Sequence, residues 1–278
     1  MPYNKIKSYA KLNLALNITG KTPSLHKIES IVMFVSLHDN ILIKRIKSSK
    51  HNILFTGKFS QNIGKNNSIT KLLEILEKKK FLKNEKFNIK INKRIPNKAG
   101  LGGGSMNAAS ILKYFVRKKI IKITKKKLIQ ISKLISSDVI LGLNSTNSIL
   151  NSENKVKCFT NCKKIYTLIV KPNFGCSTKE IYSKVKKFNQ PKFNQPNKSM
   201  FRFDYLKKMN NDLEQIAFSK YSKLKTIKLY LQSLSSVVFV RMTGSGSALV
   251  AYFKSKERCN NAKKKFNKKY KNYWCIAS

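Results

Sequence analysis

The sequence is short of acid. Only twelve Asp and Glu stand against fifty-eight Lys and Arg in 278 residues, a formal charge of +46. An excess of that size makes nucleic acid or an anionic membrane a partner to weigh. The lysines, however, run along the whole chain instead of gathering in one arm, and Asn and Ile are abundant beside them, as an A/T-rich coding sequence would produce. The charge is therefore read as compositional drift, with nonspecific polyanion binding at low salt as its side effect and no specific nucleic-acid partner.

Long apolar runs are absent too. No segment approaches 18 consecutive apolar residues, and the longest patches, such as Ile31 to Leu37, have strand length. The start of the chain runs into an alternating strand and lacks an apolar leader core, so a cytoplasmic protein with no membrane partner is expected. The five cysteines are odd in number and follow no disulfide framework. Cys158 and Cys162 have no second pair or nearby His to complete a zinc site, which leaves reduced structural thiols. The length admits two lobes of ordinary size without requiring them.

Glycine is sparse at eleven residues, yet four of them, Gly100, Gly102, Gly103 and Gly104, fall within five positions. Before them Phe87, Ile89 and Ile91 alternate with polar residues, a strand that Pro96 ends. After them Ala108, Ile111, Leu112 and Phe115 recur at helical spacing. The order strand, glycine loop, helix is that of a phosphate cradle, in which converging amides and a helix N-terminus receive an anion. Two common nucleotide motifs do not fit: Ser105-Met106 stands where Walker A needs Lys and Ser/Thr, and GxGxxG read from Gly100 meets Ser105.

Elsewhere, residues 5 to 19 read as a strand whose Lys11 and Asn13 lie on the face opposite Leu12, Leu14 and Leu16. His26 follows in a turn. Residues 40 to 46 and 52 to 56 read as a pair of strands, and Ser68 caps a helix to about Leu82. A second helix opens at Thr124 and delivers Asp138, the only acid between Glu85 and Glu153. Surrounding cations favour its ionised form. Residues 142 to 157 are turn-rich and suggest a boundary, and residues 186 to 202 a loop or poorly ordered insert. The stretch Thr243-Gly244-Ser245-Gly246-Ser247 joins two strands as a glycine turn.

The run P-x-x-x-G-L-G-G-G-S-x-N-A-A resembles the phosphate loop of the GHMP small-molecule kinases, which include galactose, homoserine and mevalonate kinases. Ala10-Lys11-Leu12-Asn13-Leu14, Ser137-Asp138-Val139, Asn211-Asp212-Leu213-Glu214 and Met242-Thr243-Gly244-Ser245-Gly246 resemble further motifs of that family in the same order. The resemblance implies a two-lobed α+β fold, with a ribosomal-S5-like lobe over residues 1–153 and a ferredoxin-like lobe over 154–278. It implies a phosphotransferase using ATP and Mg²⁺, acting on a small molecule as a monomer or homodimer.

Within the family the resemblance is to the branch that phosphorylates the 2-hydroxyl of a cytidylyl-linked methylerythritol; another acceptor, homoserine or a sugar, is the alternative. A basic nucleic-acid-binding protein with a decayed kinase site stands further off. Carried over by motif, Lys11 and Asp138 would be catalytic. Pro96, Asn97, Lys98, Ala99, Gly100, Leu101, Gly102, Gly103, Gly104, Ser105 and Met106, with Asn67 and Lys93, would bind ATP. Asn13, His26, Tyr182, Gly244, Ser245 and Gly246 would face the acceptor, and Mg²⁺ would sit on the ATP phosphates with Ser105 as a protein ligand. The chain departs from the pattern at Leu25, where Tyr is usual, at Ile140, where Pro is usual, and at Asn151-Ser152-Glu153-Asn154, which replaces a glycine-rich signal.

Overall fold

The computed structural model describes residues 2–23 and 25–278, and its chain forms two compact units. The first comprises the residues up to Ala10, Val35–Pro96 and Gly102–Ser145; the second comprises Lys11–Phe34, Asn97–Leu101 and Thr146–Ser278. Each unit thus draws on several separate stretches of chain.

Strands β1 (Asn4–Lys21) and β2 (His26–Ile46) pair with each other, and each contributes residues to both units. The first unit adds β3 (Asn52–Thr56), α1 (Ser68–Lys78), β4 (Lys86–Asn92), α2 (Gly103–Arg117), α3 (Lys125–Ile135) and the short α4 (Val139–Gly142). The apolar patch at Ile31–Leu37 and the segment 40–46 prove to be one strand, β2, with His26 as its first residue and not in a turn. The expected pairing of 40–46 with 52–56 does not occur: β4 lies between them, antiparallel to β2 and parallel to β3.

That order is set by burial. Ile41 faces Ile91 and Ile43 faces Ile89, while Ile53 and Phe55 align with Ile89 and Ile91, so one face of the sheet is continuously apolar. Ile69, Leu72, Leu73 and Leu76 of α1 and Ala108, Ile111, Leu112 and Phe115 of α2 cover it. Each such side chain contributes roughly 1.5–3 kcal/mol on full burial, apart from the smaller alanine.

α1 is capped by Asn67, not Ser68. Asn67 Oδ1 accepts from Ile69 N at 2.9 Å and Thr70 N at 3.2 Å, and Thr70 Oγ1 accepts from Asn67 N at 2.9 Å. Thr124 caps α3 as expected, accepting from Lys127 N.

In the second unit β5 (Asn147–Leu150) and β6 (Val156–Phe159) form a hairpin, and β5 pairs with Ser30–Val32. Residues 142–157, expected to hold a boundary, contain the break between the units at Ser145/Thr146, followed by ordered strands; the polar look of those strands misleads because Ser148 is buried with its neighbours Ile149 and Leu150. Then follow β7 (Tyr166–Lys171), α5 (Thr178–Ser183), a 3-10 turn (Lys198–Phe201), α6 (Phe203–Lys207), α7 (Glu214–Lys220), α8 (Ser222–Ser233), β8 (Phe239–Met242), β9 (Leu249–Phe253), α9 (Lys256–Lys269) and β10 (Trp274–Ala277). Antiparallel strands in the order β10-β7-β9-β8 make a four-stranded sheet, with α8 packed on β8 and β9, and α9 on β7, β9 and β10. The architecture is the expected α+β with two sheets.

Residues 186–202 are irregular but tied down, so the expectation of poor order is corrected. Buried Glu29 accepts from Lys192 N and, at 3.0 Å, from Phe193 N, and the Phe193 ring is 1% exposed. Among the described residues no helix is long and apolar enough to cross a membrane.

Candidate active site

The glycine loop divides into two halves with different work. In the first, Lys98 and Gly100 have φ of 50° and 73°. The Lys98 carbonyl accepts from Ser247 N at 3.1 Å and Cys176 N at 3.3 Å, and the Ala99 carbonyl from Ala248 N at 3.2 Å. Gly100 lies so close to the β8–β9 turn that an added Cβ would stand 1.9 Å from the Thr243 carbonyl oxygen. The space left by this glycine is thus filled by the protein's own backbone, where the sequence suggested a ligand.

The second half starts α2. Gly102 is its N-cap, at φ 70°, with no side chain to cap the helix, and no acid stands in the first turn. The first-turn amides of Gly103 and Gly104 therefore have no intrahelical partner, and Gly104 is exposed. An added Cβ at Gly103 would lie 3.2 Å from Lys93 Nζ, which places that ammonium beside the same helix end. A bare helix N-terminus with an adjacent lysine suits a phosphate chain. The motif residue Ser105 shares a hydroxyl–hydroxyl hydrogen bond of 2.8 Å with Ser136.

The organiser of this half is Asp39, which lies in none of the motifs. Fully buried, it pairs with Lys93 and accepts from Arg94 N at 2.7 Å, Ile95 N at 2.8 Å and Asn107 Nδ2 at 3.0 Å. The Asn of the S-x-N-A-A motif thus grips a structural carboxylate. A signal was available: an acid inside an apolar strand, in a chain with only twelve. Asn67, expected near the nucleotide, spends its side-chain carbonyl on the α1 cap and its amide on the Gly64 and Lys65 carbonyls.

In the second unit, Lys11 and Asn13 are 3% and 2% exposed, on a polar face as deeply buried as its apolar counterpart. Lys11 Nζ donates to Asn13 Oδ1, and Asn13 Nδ2 to Ser30 Oγ at 2.8 Å. Lys11 N donates to the Leu101 carbonyl at 3.1 Å, and Asn13 N to Thr243 Oγ1 at 2.9 Å. The structure therefore joins Lys11, Asn13, Gly100, Leu101 and the glycine turn of β8–β9, which the sequence separates by more than two hundred residues.

That turn is braced by Asn211, whose Nδ2 donates to the Met242 and Gly244 carbonyls at 2.7 and 2.8 Å, and by Glu214, which accepts from Met242 N at 2.6 Å. Ser245 Oγ bonds Thr178 Oγ1 at 2.8 Å. Asp138, in the first unit, is half-buried in αR conformation ahead of α4, and its carboxylate does not cap that helix.

His26 and Tyr182 are also brought together, with ring centroids 5.1 Å apart. Burial, with the Lys21 charge adding to it, holds the His26 imidazole below its ordinary pKa, and its Nε2 is buried with no hydrogen-bond partner. Leu25, at the family's Tyr position, is 59% exposed.

Comparison with known proteins bears on the arrangement directly. The model for the GHMP kinases N terminal domain matches residues 67–150, and that for the GHMP kinases C terminal domain matches 189–272. The 4-diphosphocytidyl-2-C-methyl-D-erythritol kinase of Pelagibacter ubique is 54% identical over 274 residues, covering 99% of this chain and 98% of its own. The chain belongs to the GHMP kinases.

The enzyme of the same description from Petrotoga mobilis is 31% identical, over 88% of this chain and 96% of that one. Among solved structures, a 4-(cytidine 5'-diphospho)-2C-methyl-D-erythritol kinase superposes with a TM-score of 0.76 at 21% identity, over 99% of this chain and 98% of that one. A homoserine kinase from Cytophaga hutchinsonii reaches 0.69 at 14%, over 100% and 94%. These structural likenesses establish the GHMP kinase fold, and the family uses ATP.

Proposed function

We propose that this GHMP kinase transfers the γ-phosphoryl of ATP to the 2-hydroxyl of 4-diphosphocytidyl-2-C-methyl-D-erythritol, a step toward isoprenoid precursors in the cytoplasm. The observation that carries the reading is the 54% identity, end to end, with a relative of that description. The unpartnered His26 nitrogen beside Tyr182 supports it, since a cytosine edge would satisfy that nitrogen. The expected division near 153/154 lies between the two family matches, but it would cut the β5–β6 hairpin, whose strands both belong to the second unit.

The uncapped start of α2 fits a triphosphate: Gly103 and Gly104 offer amides without a Cβ in the way, and Lys93 offers a charge already oriented by Asp39. When bound, Mg²⁺ would neutralise charge between the phosphates, with the Ser105 hydroxyl as the protein group nearest that role. Phosphoryl transfer asks the protein for alignment and charge compensation more than covalent chemistry. Asp138 would accept the proton of the acceptor hydroxyl. Lys11, held by Asn13, would hold that oxygen in place.

ADP release from MgATP that requires the cytidylyl acceptor, and that homoserine and sugars do not support, tests the substrate. Asp138→Asn should bind ATP normally and lose turnover by roughly 10²–10⁴-fold. Lys11→Met should likewise lower kcat more than ATP affinity. Unchanged turnover in Asp138→Asn would remove that carboxylate from the chemistry.

A further inference from the structure

The aromatic group at the start of β2 contains a third ring. Phe188 lies 6.4 Å from His26, centroid to centroid, tilted by 50°. It is 47% exposed, although it sits in a segment with firm anchors. The next residue, Asn189, donates its backbone N–H to the Ile18 carbonyl at 2.9 Å and its side-chain amide to Asp212 at 2.8 Å. Four residues further on, Glu29 holds the backbone at Lys192 and Phe193.

An apolar ring on a segment anchored from the next residue onward, left half in water beside a buried imidazole nitrogen without a partner, suits a flat guest. Such a guest would cover the ring and satisfy the nitrogen together. Leu25, adjoining His26 on the other side in sequence, offers only an exposed aliphatic chain and no π-face.

We propose that Phe188 is a wall of the nucleobase site, supplying the stacking face that Leu25 cannot. The proposal rests on the cytidylyl reading above. It assigns base binding to the anchored segment after α5 as well as to the start of β2.

The test is calorimetric titration of the full chain with cytidine diphosphate, with inorganic pyrophosphate as a control for attraction by the chain's positive charge. Phe188→Ala should weaken cytidine diphosphate roughly five- to a hundredfold, the range for one base–aromatic stack, and leave pyrophosphate unaltered. Phe188→Tyr should retain the affinity. Leu25→Tyr placed in Phe188→Ala should restore part of it. In turnover, Phe188→Ala should raise KM for the cytidylyl acceptor and not for ATP. The exposed ring makes a folding defect unexpected, and an unchanged Tm checks this.

If His26→Ala weakens cytidine diphosphate and Phe188→Ala does not, the role of Phe188 is overturned while the nucleobase reading stands. If neither variant affects it, the nucleobase reading itself fails, and the proposal with it.

Discussion

At the scale of single residues, burial separates a few charged groups from the many. Lys11 belongs to the commonest residue class in the chain, yet it is 3% exposed, with its ammonium against Asn13 Oδ1. Lys93 is held in the same way by Asp39. Removing one partner of a buried pair leaves an uncompensated charge and costs about 3–5 kcal/mol. Asp39→Asn should therefore lower unfolding free energy in urea by on the order of that amount, whereas truncating an exposed lysine such as Lys83 should stay within roughly 0.5 kcal/mol. His26 makes a pH-dependent contribution. Its folded pKa lies below the unfolded value, so the unfolded chain takes up the proton first as pH falls through about 6.5, and the stability this residue contributes above that point declines in acid. In the folded enzyme the imidazole takes its proton at a lower pH still, and from the Nδ1–H tautomer this removes Nε2 as an acceptor, so the acceptor KM, and not the ATP KM, should rise on the acid side in initial-rate profiles.

At the scale of elements, the glycine cluster shows how one composition signal can hide two functions. Gly100 is required by the protein: an alanine there would meet both a positive φ and the Thr243 carbonyl. Gly100→Ala should reduce stability by about 2 kcal/mol or more, read as a lower denaturation midpoint. Gly104 is left open by the protein: it is exposed and helical, and an added Cβ would meet nothing nearer than the Ser68 hydroxyl at 3.3 Å. Gly104→Ala should keep or slightly raise the midpoint, since alanine favours a helix by up to about 1 kcal/mol, while raising the ATP KM. The strand–loop–helix order and the apolar face of α2 were legible in the sequence because period and glycine spacing are local properties. The partner of β3 was not, because a parallel strand pairs across an intervening helix and leaves no short-range trace.

At the scale of the whole molecule, a charge of +46 is a uniform background on which the specific contacts operate. Like charges repel over roughly 10 Å at 0.1 M salt. Thermal denaturation should therefore move to higher temperature as NaCl is raised from low ionic strength, opposite to what a fold dependent on surface ion pairs would do. Nonspecific retention on duplex DNA should vanish over the same range, without change in acceptor-dependent ATP use. Retention that persists at high salt would restore a specific nucleic-acid partner.

Local sequence determined most of the helices, several strands and the family: alternation, helical period, the Thr124 cap and the motifs each act within a few positions, whereas the α1 cap, the unity of β2 and the β5–β6 hairpin escaped it. Only the tertiary structure decided which glycine serves the backbone and which is open to a ligand, that Asp39 organises the helix start, and that Asn211 and Glu214 brace the turn facing Asn13. Those assignments depend on burial and on hydrogen bonds between residues far apart in the chain, and no pattern of neighbours along the sequence encodes either.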